Sequence, residues 1–191
     1  NECAAGVCEG QQFDMNFETE ATVAEVDYIN MIRLKTAVLL GFSLRLGAML
    51  AEKEEKTAQA LYDFGVDIGI GFQLKDDLLD VYADQEKFGK QVGGDIISNK
   101  KTFLLLKALE LANEEQRVAL IHWISLQEFD ASQKVEAVTK IYDEIGIREL
   151  TLSKMNEYFE KGFKALDEID VKVERKAALR DFAQYLIDRE K

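Results

Sequence analysis

Apolar positions recur along most of this chain at the three-to-four spacing that puts side chains on one face of an α-helix. Residues 3–14 read as a first helical segment that ends near Asn16 and Phe17. Thr22, with Glu25 three positions later, has the form of a capping box and would open a helix through Tyr28, Ile29 and Ile32. Lys35 and Thr36 interrupt or end the first part of that helix, and the apolar run 37–50 continues it. A charged connection at 51–56 leads into the longest element, residues 57–82, where Gly65, Gly69 and Gly71 thin the side-chain cover. Each glycine costs a helix about 1 kcal/mol relative to alanine, so a close-lying backbone or ligand is expected there. Residues 89–95, Gly-Lys-Gln-Val-Gly-Gly-Asp, form the one clear loop. Further helices are predicted over 102–112, 114–126, 131–145, 149–169 and 174–187, with Gly146 as a C-terminal stop.

Composition strengthens the helical reading. The 191 residues contain no proline, where average usage would supply about ten, so the chief interrupter of helices is missing. Stretches of β-branched residues alternating with polar ones are few, and the expected class is all-α, with residues 1–191 forming a single domain. A net charge of −12 argues against nucleic-acid binding, which usually shows a basic face. It is compatible with an anionic substrate held through a metal and a few local lysines. No run approaches the roughly 18–20 apolar residues that would span a membrane, and no signal peptide is visible. Cys3 and Cys8 lie five apart, on different faces of a helix, which argues against a disulfide and for a reducing, cytoplasmic setting. The first residue is Asn, and residues 3–13 already read like the middle of a helix, so a piece of a longer protein is expected.

The candidate chemistry lies in Phe72-Gln73-Leu74-Lys75-Asp76-Asp77-Leu78-Leu79-Asp80. At helical spacing Gln73, Asp76, Asp77 and Asp80 crowd one stripe. Like charges so placed repel, and a solvated acidic patch is the plain alternative. A hard divalent cation makes the cluster favourable, because Mg²⁺ prefers carboxylate oxygens and keeps positions for a phosphate ligand. Asp76, Asp77 and Asp80 are therefore the candidate metal ligands.

Five elements follow in order: Gly10-Gln11-x-x-Asp14, Lys35-Thr36, Phe72-Gln73-x-x-Asp76-Asp77-x-x-Asp80, Gly89-Lys90-x-x-Gly93-Gly94-Asp95, and Asn99-Lys100. With this series the chain resembles the trans-polyprenyl diphosphate synthases, the head-to-tail isoprenyl elongators such as farnesyl and geranylgeranyl diphosphate synthases. The resemblance covers essentially the whole chain and implies the helical bundle of that family. It also implies condensation of isopentenyl diphosphate with an allylic diphosphate, dependence on Mg²⁺, and a homodimer with the Gly10-Gln11 helix among its interface elements. By residue, Lys35, Lys90 and Lys100 would contact diphosphate, and Thr36 and Gln73, with the Lys35 carbonyl, would stabilise the carbocation. Gln11, Asp14 and Phe72 match pocket positions, although Gln-x-x-Asp on a helix could equally be a structural hydrogen-bond pair. Asp95 would support a lysine or a metal-bound water, with helix capping an equal competitor.

The family's first aspartate-rich motif and its N-terminal isopentenyl diphosphate segment have no counterpart before Asn16. The chain thus resembles the C-terminal portion, and by itself it is expected to bind Mg²⁺-diphosphate weakly without turnover. Two other enzyme-family readings compete, with a helical scaffold of no small-molecule role as a third alternative. A non-catalytic subunit of a heteromeric synthase would be expected to have lost metal-site residues that are present here. Another class I terpenoid enzyme would carry a second motif of the form Asn/Asp-x-x-Ser/Thr-x-x-x-Glu, which does not occur on this helix. His122 beside Trp123 and the acidic run at 167–170 lie outside every motif and read as structural and solvated, respectively.

Overall fold

The computed structural model describes residues 1–83 and 92–189. Among them all regular structure is helical. In chain order the elements are α1 (Glu2–Phe17), α2 (Glu25–Ile32), a π-helical turn (Arg33–Ala37), α3 (Val38–Leu50), α4 (Glu55–Tyr82) and α5 (Gly94–Ile97). There follow α6 (Phe103–Leu111), α7 (Glu114–Ser125), α8 (Ala131–Ile145), α9 (Ile147–Asp167) and α10 (Val173–Asp188). The predicted helices are present, each with its ends within a few residues of expectation.

The organising element is α4, 28 residues with no proline and so about 42 Å long. It packs against α3 on one face and α9 on another. The glycines explain the first contact. A Cβ on Gly65 would lie 2.7 Å from the Gly41 Cα, and one on Gly69 would lie 2.7 Å from the Ala37 Cα. The approach expected at these glycines is therefore that of another backbone, α3. Gly71 instead faces the Phe159 ring of α9. Counting on from Gly65 and Gly69 in helical steps, the α3-facing line of α4 continues as Gln73, Asp76 and Asp80. The stripe that is small where α3 passes becomes polar beyond it, above α2 and the π turn.

Two apolar clusters hold the bundle. The larger joins Tyr28 and Ile32 of α2, Ile68 and Leu74 of α4, Phe159 of α9 and Leu186 of α10. The smaller gathers α5 to α8 around Leu104, Leu120 and Tyr142 and meets α4 at Val81. Lys176 of α10 gives three hydrogen bonds to the carbonyls of Leu166, Asp167 and Ile169, which closes the unpaired C-terminal end of α9.

Local expectations fared unevenly. Gly146 does stop α8 in the left-handed region, with φ 80°. Asn113 and Gln116 form a capping box at α7. The box expected from Thr22 and Glu25 does not form: Ala24 occupies the N-cap position without a side-chain bond. Glu25 turns instead to Lys107 (2.8 Å) and Lys154 (3.2 Å), because two ammonium groups from α6 and α9 offer a carboxylate more than one backbone N–H. Lys35 and Thr36 do interrupt the α-helical winding, within the π turn that joins α2 to α3. Cys3 and Cys8 are free. His122 is exposed, with an edge-on contact to Trp123.

Candidate functional site

The π turn is the first component of the site. Its wider winding sends the Val38 N–H to the Arg33 carbonyl, and such turns are frequent where a helix presents functional groups. Gly10 of α1 lies directly on it: a Cβ there would overlap the Lys35 backbone nitrogen. That close crossing brings Asp14, one turn along α1, to the Lys35 ammonium at 2.6 Å. Gln11, on the same helix, is exposed.

From the π turn a hydrogen-bonded chain runs inward. The Thr36 hydroxyl donates to Gln73 Oε1 at 3.3 Å, and Gln73 Nε2 reaches Asp77 Oδ1 at 3.5 Å. The Tyr28 hydroxyl donates a short hydrogen bond to Asp77 Oδ2. Asp77 is 3% exposed and Tyr28 1%, so this carboxylate points into the bundle. Burial pushes the Asp77 carboxyl up to about 7, with the Tyr28 hydrogen bond acting against that rise. Burial and the neighbouring Asp77 also hold the Tyr28 phenol well above its ordinary range.

A second chain closes from α5. Gly93, at φ 86°, turns the backbone so that its N–H meets the Asp80 carbonyl at 2.6 Å. The Asp95 N–H donates to Asp80 Oδ2 at 2.9 Å. Burial raises the Asp80 pKa even so. The Asp95 carboxylate is 3.3 Å from the Lys100 ammonium. Burial works against the Lys100 charge, but Asp95 and Asp77 outweigh it and the Lys100 pKa is raised. A groove of about 590 Å³ opens beside these groups, lined by Asp14, Phe17, Glu18, Lys100, Lys101 and Ile124.

Asp76 stands apart from Asp77. Its side chain is 37% exposed and pairs with Arg189, whose guanidinium lies over the Phe72 ring at 4.3 Å. Consecutive helical residues differ by about 100° in direction. The acidic stripe is accordingly divided: Asp77 inward to Tyr28, Asp80 to the α5 turn, Asp76 outward to Arg189. Among the described residues no three acidic, histidine or cysteine side chains converge as a ready metal cage. Lys90, with Gly89 and Gln91, lies outside the described residues.

Of the residues named from sequence, Asp14, Lys35, Thr36, Gln73, Asp77, Asp80, Asp95 and Lys100 are joined in these two chains of contacts. Phe72 and Asp76 meet Arg189 instead. Sequence reasoning missed Tyr28 and Arg189. Tyr28 read only as an apolar-face residue, since its partner lies 49 positions away. The terminal basic character of Arg189 was the sole signal for its role.

The family model described as polyprenyl synthetase matches residues 1–144. A geranylgeranyl pyrophosphate synthase of Geoglobus acetivorans is 36% identical over 189 residues, covering 96% of this chain and 55% of that protein. A short chain isoprenyl diphosphate synthase of Methanothermobacter thermautotrophicus is 35% identical over 184 residues, with the same two coverages. Among solved structures, a geranylgeranyl pyrophosphate synthase superposes with a TM-score of 0.91 at 40% identity, covering all of this chain and 59% of that one. The synthase of Corynebacterium glutamicum, solved with isoprenyl diphosphate and magnesium, gives 0.88 at 31% identity, covering 97% of this chain and 53% of that one. The chain thus spans little more than half the length of these relatives. A family model matched over three quarters of its residues, on a bundle that superposes on solved synthases throughout, means that this chain belongs to the polyprenyl synthetase family.

Proposed function

We propose that the protein to which these residues belong is a trans-prenyltransferase that condenses isopentenyl diphosphate with an allylic diphosphate. The observation that carries this reading is that Lys35, Thr36, Gln73 and Lys100 lie in two chains of contacts that reach one end of α4 at Asp77 and Asp80. The relatives named as geranylgeranyl and short-chain isoprenyl diphosphate synthases support it.

The donor set suits a hard divalent ion. Asp76 and Asp80 place carboxylates one turn apart on α4, Asp76 paired with Arg189 and Asp80 with the Asp95 N–H, whereas both Asp77 oxygens are engaged inside the bundle by Tyr28 and Gln73. Two carboxylates with substrate phosphate and water are a common Mg²⁺ environment. Asp76 and Asp80 would hold the metal, and Asp77 would brace them from behind. The bound ion, Mg²⁺ by this reading, would neutralise charge on the diphosphate, as the magnesium in the C. glutamicum relative's structure suggests.

The remaining chemistry belongs to the side chains. Lys35 and Lys100 bind the diphosphate as compact positive charges and stabilise the charge it gains when the allylic C–O bond breaks with its electron pair. The Thr36 and Gln73 oxygens face the resulting carbocation, which the apolar bundle shelters from water. The double bond of isopentenyl diphosphate attacks the cation to form the new C–C bond. The proton then lost from the adduct passes to the departed diphosphate. Asp14 and Asp95 hold the two lysines in place until substrate arrives.

Incubation of the complete protein with labelled isopentenyl diphosphate and allylic primers of several lengths should give longer prenyl diphosphates, and only with a divalent metal. Absence of elongation with every primer would overturn the reading. No helix among the described residues is long and apolar enough to cross a membrane. A homodimer working in the cytoplasm is part of the same proposal, and light scattering on the complete protein checks the dimer.

A further inference from the structure

Lys134 is the most deeply buried cation among the described residues, at 1% exposure in the first turn of α8. Among the described residues its ammonium meets no carboxylate. It donates to the Ile97 carbonyl at 3.2 Å and to Asn99 Oδ1 at 2.7 Å, and it lies 4.2 Å from the centre of the Phe129 ring. Burial alone lowers its pKa. Removing an ammonium from water costs several kcal/mol unless it is well paired, so neutral partners are a poor exchange for the sake of stability.

The partners show what the lysine holds. Asn99 adopts the left-handed region at φ 55°, which asparagine tolerates better than most residues. Its side chain is tied at both ends, Oδ1 to Lys134 and Nδ2 to the Ile124 carbonyl at 3.1 Å. The left-handed residue reverses the chain at the end of α5, so the Lys100 N–H reaches the Asp95 carbonyl at 2.9 Å and the Lys100 ammonium faces the Asp95 carboxylate. Lys134 thus clamps the last carbonyl of α5 and the turn residue beside it, 35 positions away in sequence.

We propose that Lys134 is a positioning residue for diphosphate binding, acting through the Asn99 turn to aim Lys100. The proposal rests on the reading of Lys100 as a diphosphate ligand. Lys134 itself would touch no substrate.

The test measures the affinity of the complete protein for inorganic diphosphate with Mg²⁺, by calorimetry, alongside thermal melts. Lys134→Met keeps the buried volume and removes the hydrogen bonds. It should weaken binding by roughly 10- to 100-fold, the scale of a misaimed binding group. Asn99→Gly keeps the left-handed turn but cuts the tie, and it should weaken binding similarly even if Lys134→Met fails to fold. In a Lys100→Met background neither substitution should weaken binding further. Equal losses with and without Lys100 would overturn the positioning role, and so would an unchanged affinity in Asn99→Gly. If Lys100→Met alone left diphosphate binding intact, the reading of Lys100 would fall, and that outcome is recognisable independently of Lys134.

Discussion

Replacing Tyr28 by Phe removes one oxygen from the bundle and tests how the divided aspartate stripe is held. In the folded protein the Tyr28 hydroxyl donates to Asp77 Oδ2, and both side chains are almost fully buried. The ring would remain packed in the larger core, so the loss is electrostatic. Among the described residues, Asp77 would retain only the long hydrogen bond from Gln73 at 3.5 Å. At pH 8 the carboxyl, raised by burial to about 7, is mostly ionised, and a hydrogen bond to a buried charge is worth about 1.5–3 kcal/mol. Urea denaturation of the complete protein should therefore show a loss of about 2 kcal/mol for Tyr28→Phe at this pH. In an Asp77→Asn background the same change breaks a neutral hydrogen bond and should cost only about 1 kcal/mol. The difference is a coupling energy that isolates the pair. A cost for Tyr28→Phe that is equal in both backgrounds, or below about 0.5 kcal/mol in the first, would refute the view that Tyr28 holds the Asp77 charge.

Three other outcomes are expected. With Asp76 a metal-binding carboxylate as proposed, Asp76→Ala in the complete protein should lower elongation by about a thousandfold or more while circular dichroism stays unchanged, because its side chain is 37% exposed. Burial raises the Asp67 pKa from 3.8 to about 6, so over that window the unfolded chain releases a proton that the folded protein keeps, and stability falls as pH rises. The full shift would amount to about 3 kcal/mol, reduced to about 1 kcal/mol by partial exposure, and Asp67→Asn should flatten the pH profile of stability between pH 4 and 6. Gly65→Ala forces a methyl within 2.7 Å of the Gly41 Cα and should cost about 1–3 kcal/mol in denaturation, as overpacking at a backbone contact does.

The sequence carried the helical class because that information is local: spacing along one helix, the absence of proline, and a glycine at the end of α8. It also named most members of the two contact chains, because the ordered motif series resembles that of the trans-polyprenyl diphosphate synthases. Local pattern misled where two partners competed for one group, as at Glu25, where the lysines of α6 and α9 displaced the expected cap. Tyr28 and Lys134 had no local signal at all. Their partners lie 49 and 35 positions away, and no periodicity of their own helices points to them.

By itself the sequence determined that α4 would be a long helix with three carboxylates within a third of its circumference, since 3.6 residues per turn fixes the phase of each side chain on its own axis. Only the tertiary structure decided what each carboxylate does. The close crossings at Gly10 and Gly65 set α1 and α3 against their neighbours at backbone distance. That packing sends Asp77 into the core against Tyr28, fastens Asp80 to the α5 turn and leaves Asp76 on the outer side with Arg189. A helix fixes direction around its axis, but the dielectric and the partner waiting in each direction come from other parts of the chain.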